Sequence, residues 1–386
     1  MSSAVPATIS TTAAARTDWD ALVVGAGPAG SIAARELARR GARVLLADKS
    51  SFPRRKVCGC CLNGLALHIL ESSGLRQMVD ELGGLPLEKL SVWVKRRHAS
   101  ITLPAGLVLS REALDAALIE RAVRAGSEFL PATPVMVGGL DETYRHSTGN
   151  SEEGRFSLRA RVVLVADGLG GRSCAFQEDF RVATANGSRI GAGTVAASAP
   201  AYFAAGEIYM ACGQHGYVGL VRLEDGRLDI AAALDLEWTR ELGGPGLAAE
   251  SIISEAGLPA IYKLAKLPWT GTAKLTRWRQ RLAGDRLFFI GDAAAYAEPF
   301  TGEGIAWAFR SAQAVAPLAM QGIGQWQGSL SADWNQLHGR LIGQRQRRSR
   351  LVALLLRHGR LTELTTRLLA QVPVLANPLV EYLNRP

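Results

Sequence analysis

The sequence predicts an α/β protein: a Rossmann-type dinucleotide-binding domain, an antiparallel β-sheet domain inserted into it, and helices at the C-terminus. Three observations carry this reading. Residues 21–50 run strand, G-x-G-x-x-G, helix, strand, acid. Two later apolar strands end in Asp167-Gly168 and in Gly291-Asp292. Between these strands lie alternating apolar runs joined by turn residues, the pattern of hairpin sheets.

The first unit is ALVVGAGPAGSIAARELARRGARVLLADKS. Ala21–Val24 reads as a buried parallel strand, Pro28–Arg40 as a helix ended by Gly41, and Val44–Ala47 as a second strand closed by Asp48. Gly25 allows the tight turn, Gly27 lets a pyrophosphate approach the backbone, and Gly30 allows close helix–strand packing. The helix N-terminus offers free N–H groups and the positive end of its dipole to phosphates. Asp48 stands where an acid accepts a hydrogen bond from a ribose hydroxyl. Further along, Val162–Ala166 reads as a strand leading into Asp167-Gly168. Leu287–Ile290 reads as another, leading into Gly291-Asp292 and then Pro299-x-x-Gly302-x-Gly304 at the start of a long helix.

Composition sets the frame. With 386 residues, 48% hydrophobic and 20% charged, the chain can bury a sizeable core. It has no stretch long and apolar enough to span a bilayer. Residues 1–17 are small and polar without an apolar segment, which predicts a disordered leader rather than a secretory signal. Five cysteines, an odd number, fit a reducing, cytoplasmic setting. Net charge is +9, but residues 340–386 hold nine Arg and two Glu, so 9 − 2 = +7 of it lies there. The rest is near neutral, and no nucleic-acid partner is expected. Leu351, Leu354, Leu355, Leu361, Leu364 and Leu368 alternate with arginines in that tail. This predicts a C-terminal helical layer, or a basic amphipathic surface meeting anionic lipid or an acidic carrier protein and placing the chain at a membrane periphery.

Taken in order, Gly25-x-Gly27-x-x-Gly30, Ala166-Asp167-Gly168, Gly291-Asp292 and Pro299-x-x-Gly302-x-Gly304 resemble the para-hydroxybenzoate hydroxylase-type flavoproteins. That superfamily includes aromatic hydroxylases, geranylgeranyl reductases and flavin-dependent halogenases. Ser110-Arg111-x-x-Leu114-Asp115-x-x-Leu118 resembles its helix whose Arg lies by the FAD phosphates. The resemblance covers about residues 18–320 and implies FAD as cofactor. It implies that Asp48 holds the adenosine ribose, Asp167 lies near the pyrophosphate, and Asp292 binds the ribityl chain. The Gly302–Ile305 helix start would point at the flavin pyrimidine edge, where it favours the anionic reduced form. Pro28, Ala29, Lys49 and Val135 complete the cofactor shell that the resemblance implies.

The domain boundaries follow. The FAD-binding domain takes residues 18–86, 108–182 and 283–330. The inserted β-sheet substrate domain takes 87–107 and 183–282, and the basic helical region takes 331–386. Within the insert, Leu90–Lys95 with Ala99–Leu103 predicts one strand pair, and Gly216–Leu223 with Leu228–Leu234 a hairpin through Asp225-Gly226. Trp93, Tyr209, His215 and Tyr217 are the substrate candidates on this sheet. A single G-x-G-x-x-G leaves no second Rossmann domain, so the superfamily's pattern of NAD(P)H as a transient reductant is expected. The halogenase stretch W-x-W-x-I-P is absent. So is the aromatic strand ending in F-P that reductases tend to show: here the strand ends Val221-Arg222.

The stretch KVCGCCLNG, residues 56–64, carries three of the five cysteines. Cys58-x-Cys60-Cys61 lacks a second ligand pair, which argues against a metal site. Lys56-Val57-Cys58-Gly59 resembles the K-x-C-G of geranylgeranyl reductase-like members. The resemblance puts Cys58 near the isoalloxazine, Gly59 in close approach, and Arg55 or Lys56 towards phosphate or a reductant. A thiolate beside Lys56 at a helix start would have a lowered pKa, making Cys58 the catalytic candidate. Cys60 and Cys61 are expected to be buried in the following helix. The function expected is FAD-dependent oxidoreduction. Monooxygenation of a phenolic or polyketide-like substrate leads, reduction of a prenyl or lipid C=C bond is the alternative, and a non-catalytic electron-transfer flavoprotein is the third reading.

Overall fold

The computed structural model describes residues 4–385. Its first layer is a mainly parallel sheet. Asp18–Val24 lies at its centre, pairing in parallel with Gly154–Val165 on one side and Val44–Ala47 on the other. Leu287–Phe289 and Glu128–Leu130 extend it outward in the same direction. Val44–Ala47 is buried throughout, as expected of a strand covered on both faces. The loops that follow Val24, Ala47, Val165 and Phe289 therefore emerge at one edge, the carboxyl ends of the strands. That edge is where this class of sheet binds dinucleotides.

Two helices start from loops at this edge. Pro28–Ala38 begins directly after the glycine loop, and Gly304–Gly324 packs along it. The small residues Ala29, Ala33 and Ala34 are buried and keep the spacing short. At Gly30 the approach is absolute: a Cβ there would lie 1.8 Å from the Gly25 carbonyl oxygen.

The second layer is a seven-stranded sheet, antiparallel except where Glu207–Gly213 pairs in parallel with Lys89–Val94. Its order is Thr270–Lys274, Ile190–Ala196, Leu228–Leu234, Gly216–Arg222, Glu207–Gly213, Lys89–Val94, Arg97–Thr102. Alternation along each strand gives it two apolar faces. One packs on the helix Pro245–Ala256 through Tyr209, Val218, Leu220 and Ile230. The other, with Val92, Met210, Cys212, Tyr217 and Ala233, roofs the first layer and meets Tyr296 and Phe300 from its loops.

The leader departs from expectation over the described residues. Ser10 caps a helix Thr11–Arg16, and Val5 and Ala14 are buried. Val5 N donates to Phe52 O at 3.1 Å, and Thr8 N to Phe129 O at 3.0 Å. The segment orders by packing on the sheet edge, a tertiary gain that its small polar composition hides. Residues 1–3 and 386 lie outside the described range.

The tail forms helices Gln344–Leu355, Gly359–Gln371 and Asn377–Asn384. Gly359–Gln371 packs on the outer strands of the roof. Near the C-terminus, Asn384 Oδ1 accepts from Gly64 N at 2.6 Å.

Candidate active site

The carboxyl edge of the parallel sheet gathers the predicted loops. Asp48 accepts from Ala26 N at 2.7 Å and Ser50 N at 2.8 Å, which fixes the glycine loop against the second strand. The segment before Val135 runs alongside, with Thr133 N donating to Asp48 O at 2.8 Å. Asp167 Oδ2 accepts from Ser173 N and Oγ at 3.0 and 2.6 Å.

Arg111, just after the cap Ser110, pairs bidentately with Asp115 at 2.9 Å twice. Asp115 is fully buried, and Arg54 approaches it at 3.7 Å and Asp48 at 3.8 Å. Arg54, rather than the expected Arg55, turns into this crevice. Arg55 is about half exposed and turns outward to Glu112 at 3.6 Å. The residues after Asp48 have no periodicity from which to choose between these neighbours. Lys49 and Lys56 are both exposed, and the Lys56 Nζ reaches within 3.6 Å of where a Gly168 Cβ would stand.

These residues fit FAD. In front of Gly27 a Cβ would meet only the tips of Arg54 and Arg111, at 3.8 and 3.9 Å. Gly59 and Gly302 face open space. Arg54 Nε and Asp167 Oδ1 are buried at this crevice with no hydrogen-bond partner among the described residues. Open backbone with an unanswered donor and acceptor beside it is what a bound dinucleotide completes. Arg54, Arg111 and the start of the helix Pro28–Ala38 would hold the diphosphate. Asp48 keeps lone pairs for a ribose, and Asp292 with the helix start Gly304–Ile305 would hold the ribityl and flavin end. Burial pushes Asp292 up to about 6, against the pull of Lys56 and Arg111. Desolvation likewise lowers Lys56, helped by Arg54 and Arg111.

The cysteine loop lies under the roof. Val57 packs where a Gly193 Cβ would stand, 3.1 Å away. Cys60 and Cys61 do not enter the helix as expected. Cys60 sits in a turn at φ 52°. Cys61–Asn63 forms a short strand against Gly106–Val108, and the helix begins at Gly64 under an Asn63 cap. Cys60 N donates to Cys58 Sγ at 3.4 Å. The Cys60 thiol bond, backed by the Arg111 guanidinium, brings Cys58 down to about 5 even though burial opposes it. Arg111 is itself desolvated, but Asp115 and Cys58 outweigh that and keep it charged. Its partnership with Cys58, together with burial, raises Cys60 in turn.

The four substrate candidates separate. Tyr217 faces the loops, packs edge-on to Phe300 at 5.2 Å and keeps its hydroxyl buried and unpartnered. Trp93 and Tyr209 lie on the opposite face. Trp93 stacks on His98 at 4.4 Å, and the Tyr209 hydroxyl donates to Tyr202 O at 3.1 Å. His215 sits at a hairpin turn, stacked on Trp238 and 40% exposed at its side chain. A one-residue change of parity exchanges the faces, and one sequence does not fix that parity.

Asp229 was missed. It lies on Leu228–Leu234 between Leu228 and Ile230, which pack on the other side. It is therefore on the loop-facing side and 5% exposed, and burial pushes its carboxyl well above the usual carboxylate range. Sequence reasoning also missed Arg189, buried between Glu298 at 3.0 Å and Asp235 at 3.1 Å. Arg357 of the tail reaches Glu298 at 3.4 Å, which ties tail, loop and roof together. A surface concavity of about 880 Å³ along Pro134–Leu140 and Phe176 contains none of the site residues.

Residues 18–218 match the FAD binding domain family, and the chain belongs to it. The protein is an FAD-dependent oxidoreductase of the para-hydroxybenzoate hydroxylase and geranylgeranyl reductase superfamily. The chain is 26% identical over 309 residues to digeranylgeranylglycerophospholipid reductase 2 of Methanopyrus kandleri, covering 75% of this chain and 73% of that one. It is 28% identical over 323 residues to menaquinone reductase of Mycobacterium tuberculosis, covering 78% and 76%. Its fold matches p-nitrophenol 4-monooxygenase PnpA from Pseudomonas putida DLL-E4 with a TM-score of 0.75 at 16% identity, over 95% of this chain and 98% of the other. Among the described residues no helix is long and apolar enough to cross a membrane.

Proposed function

We propose that the protein reduces a C=C bond of a prenyl or other lipid-like substrate, with NAD(P)H as the source of electrons. The observation that carries this reading is the apolar roof over a thiol-rich loop. The roof face presents Val92, Met210, Cys212 and Ala233, with Val195 and Val221 beside the cysteines. Gly193, Ala231 and Gly219 lie opposite one another in its middle, with Val57 of the cysteine loop packed on Gly193 and Met210 on Gly219. Of the polar candidates on this sheet, Tyr209 and His215 are turned away, while Tyr217 faces the loops. Similarity in sequence to two reductases over three quarters of the chain supports the same choice. Likeness to the monooxygenase is one of fold.

Bound and reduced, FAD supplies a hydride to one alkene carbon, and the protein must supply a proton for the other. Arg54 and Arg111 hold the cofactor's anionic end, and the roof excludes water. The Cys58 loop places ionisable groups beneath the substrate space.

The test is anaerobic reduction of the yellow protein followed by addition of either a polyprenyl substrate or O2. Flavin reoxidation by the polyprenyl substrate, with a saturated product by mass spectrometry, is expected. A C4a-hydroperoxide transient lengthened by a phenolic ligand, with no turnover of polyprenyl substrate, would overturn the reading in favour of hydroxylation.

The tail fits the same substrate class. Leu351, Leu354, Leu361, Leu364 and Leu368 are each about half exposed or more, amid the +7 charge of residues 340–386. We infer that this face rests on anionic lipid, where apolar area and charge attraction add.

A further inference from the structure

We propose that the concavity along Pro134–Leu140 and Phe176 binds a small organic carboxylate with an apolar body, and that Arg145 recognises its anionic end. The proposal goes beyond the reductase reading and does not depend on it.

The first observation is a buried cation without a counter-ion. Five arginines are buried among the described residues: Arg35, Arg111, Arg145, Arg189 and Arg279. Arg35, Arg111 and Arg189 each hold a carboxylate at 3.0 Å or less. Arg279 donates to the backbone carbonyls of Ala293 and Phe180. Arg145 is 5% exposed, yet its side chain makes a single hydrogen bond among the described residues, from Nη2 to Gln177 Oε1 at 3.3 Å. Its Nε is buried with no partner among them. Two groups oppose its desolvation from a distance, Cys174 and Asp285. Burial pushes Cys174 up to about 12, so at neutral pH it is an uncharged thiol. Asp285 is exposed to water. A guanidinium does not deprotonate to escape its surroundings. Its charge is therefore desolvated and unanswered, a cost that an anion would remove.

The second observation is the space beside it. The concavity has a volume of about 880 Å³, within the range of small-molecule sites. Arg145 and Arg155 line it, and no Asp or Glu does. Met136, Leu140 and Phe176 give it apolar walls. Phe176 is 88% exposed and Leu140 47%. Hydrogen bonds hold the rim in place. Gln177 Nε2 donates to Val137 O at 3.0 Å and to Gly138 O at 3.2 Å, and Val137 N donates to Ser173 O at 2.7 Å.

These features select the ligand. One buried positive charge calls for one negative charge, and the planar fork of Arg matches a carboxylate. The apolar walls suit either an aromatic ring or a short acyl chain. Both sources share the same anionic end, and the test separates them.

The test is calorimetric titration of the full-length, FAD-loaded protein with naphthoate and, separately, with decanoate. Binding of at least one is expected. Naphthoate alone would mark an aromatic ligand, and decanoate alone an acyl one. Arg145→Met should weaken binding at least about tenfold, as loss of a charge-assisted hydrogen bond does. It should melt no lower than the wild type, because it removes an unpaired buried charge. Phe176→Ala changes an exposed side chain, so it should fold normally and bind more weakly. If Arg145→Met melts lower, Phe176→Ala decides: weakened binding there supports the site, and undiminished binding refutes it. Absence of binding by both carboxylates would overturn the proposal, as would binding that neither variant weakens. Self-association of the ligand-free protein that Phe176→Ala abolishes, read by analytical ultracentrifugation, would overturn it in favour of a second copy of the chain.

Discussion

Replacing Arg111 with Gln tests the electrostatic centre of the site. Arg111 stands beside Cys58 and is bound bidentately by Asp115. A unit charge about 4 Å from a thiolate contributes roughly 4 kcal/mol at an effective dielectric of about 20. Divided by about 1.4 kcal/mol per unit, that is about 3 pKa units. Asp115 cancels a large part of it, leaving about 1–2 units. Cys58 should therefore move from about 5 to roughly 6–7. At pH 6 its thiolate fraction falls from about nine-tenths to between about one-half and one-tenth, a loss of roughly two- to tenfold. The assay is the pH profile of Cys58 alkylation, read by peptide mass spectrometry. The midpoint is the quantity to compare, because a more basic thiolate is also a better nucleophile. The single variant leaves Asp115 buried with only Arg54 at 3.7 Å, so Arg111→Gln/Asp115→Asn serves as its neutral companion. A midpoint that stays near 5 in both variants would refute the reasoning and leave Cys60 as the sole cause.

Other perturbations reach different parts of the molecule. Gly30→Ala sets a Cβ against the Gly25 carbonyl, and should cost at least about 1–3 kcal/mol. The purified protein should be colourless, which flavin absorbance and thermal melting will show together. Burial holds His338 down at about 4 from an ordinary 6.5. A lowered folded value means that its contribution is complete above about pH 6.5 and is lost as pH falls through 4. The wild type should lose up to about 3 kcal/mol over that window from this group, and His338→Leu should show a shallower acid limb in urea titrations at stepped pH. Leu361→Ser/Leu364→Ser/Leu368→Ser should lower co-sedimentation with vesicles of anionic phospholipid, and salt should lower it for the wild type. Equal binding by the variant and wild type would count against the lipid surface.

The cofactor side was legible because its physics is local. Gly25, Gly27 and Gly30 each answer a steric demand within one turn, and the acids follow strands whose apolar runs are plain. The strand pair Lys89–Val94 and Arg97–Thr102 and the hairpin Gly216–Arg222 and Leu228–Leu234 were legible for a similar reason, alternation plus a turn. The faces were not. Leu-Asp-Ile in 228–230 reads as a strand with its acid towards water, yet the face opposite Ile230 is covered by the first layer. Solvent and a second domain give the same alternation. The same limit placed Trp93 and Tyr209 with the substrate when they belong to the outer core. Arg54 and Arg55 are adjacent in an irregular loop, where only the folded backbone decides which one turns inward.

The three cysteines now have separate tasks, and the backbone explains why they stand so close. Cys60 adopts φ 52°, a left-handed conformation that costs a non-glycine residue about 1 kcal/mol or more. That turn folds the chain back so that Cys60 N–H addresses Cys58 Sγ at 3.4 Å while its own thiol faces the Cys58 carbonyl at 3.9 Å. Cys61 Sγ donates to Gly59 O at 2.9 Å and closes the same turn. A glycine at position 60 would relieve the conformation but remove the thiol. Cys60→Gly should therefore fold with its stability kept or raised, while Cys58 loses the neighbouring thiol that favours its thiolate and titrates higher. If instead Cys60→Gly leaves the Cys58 alkylation midpoint near 5, the thiol at position 60 serves packing alone.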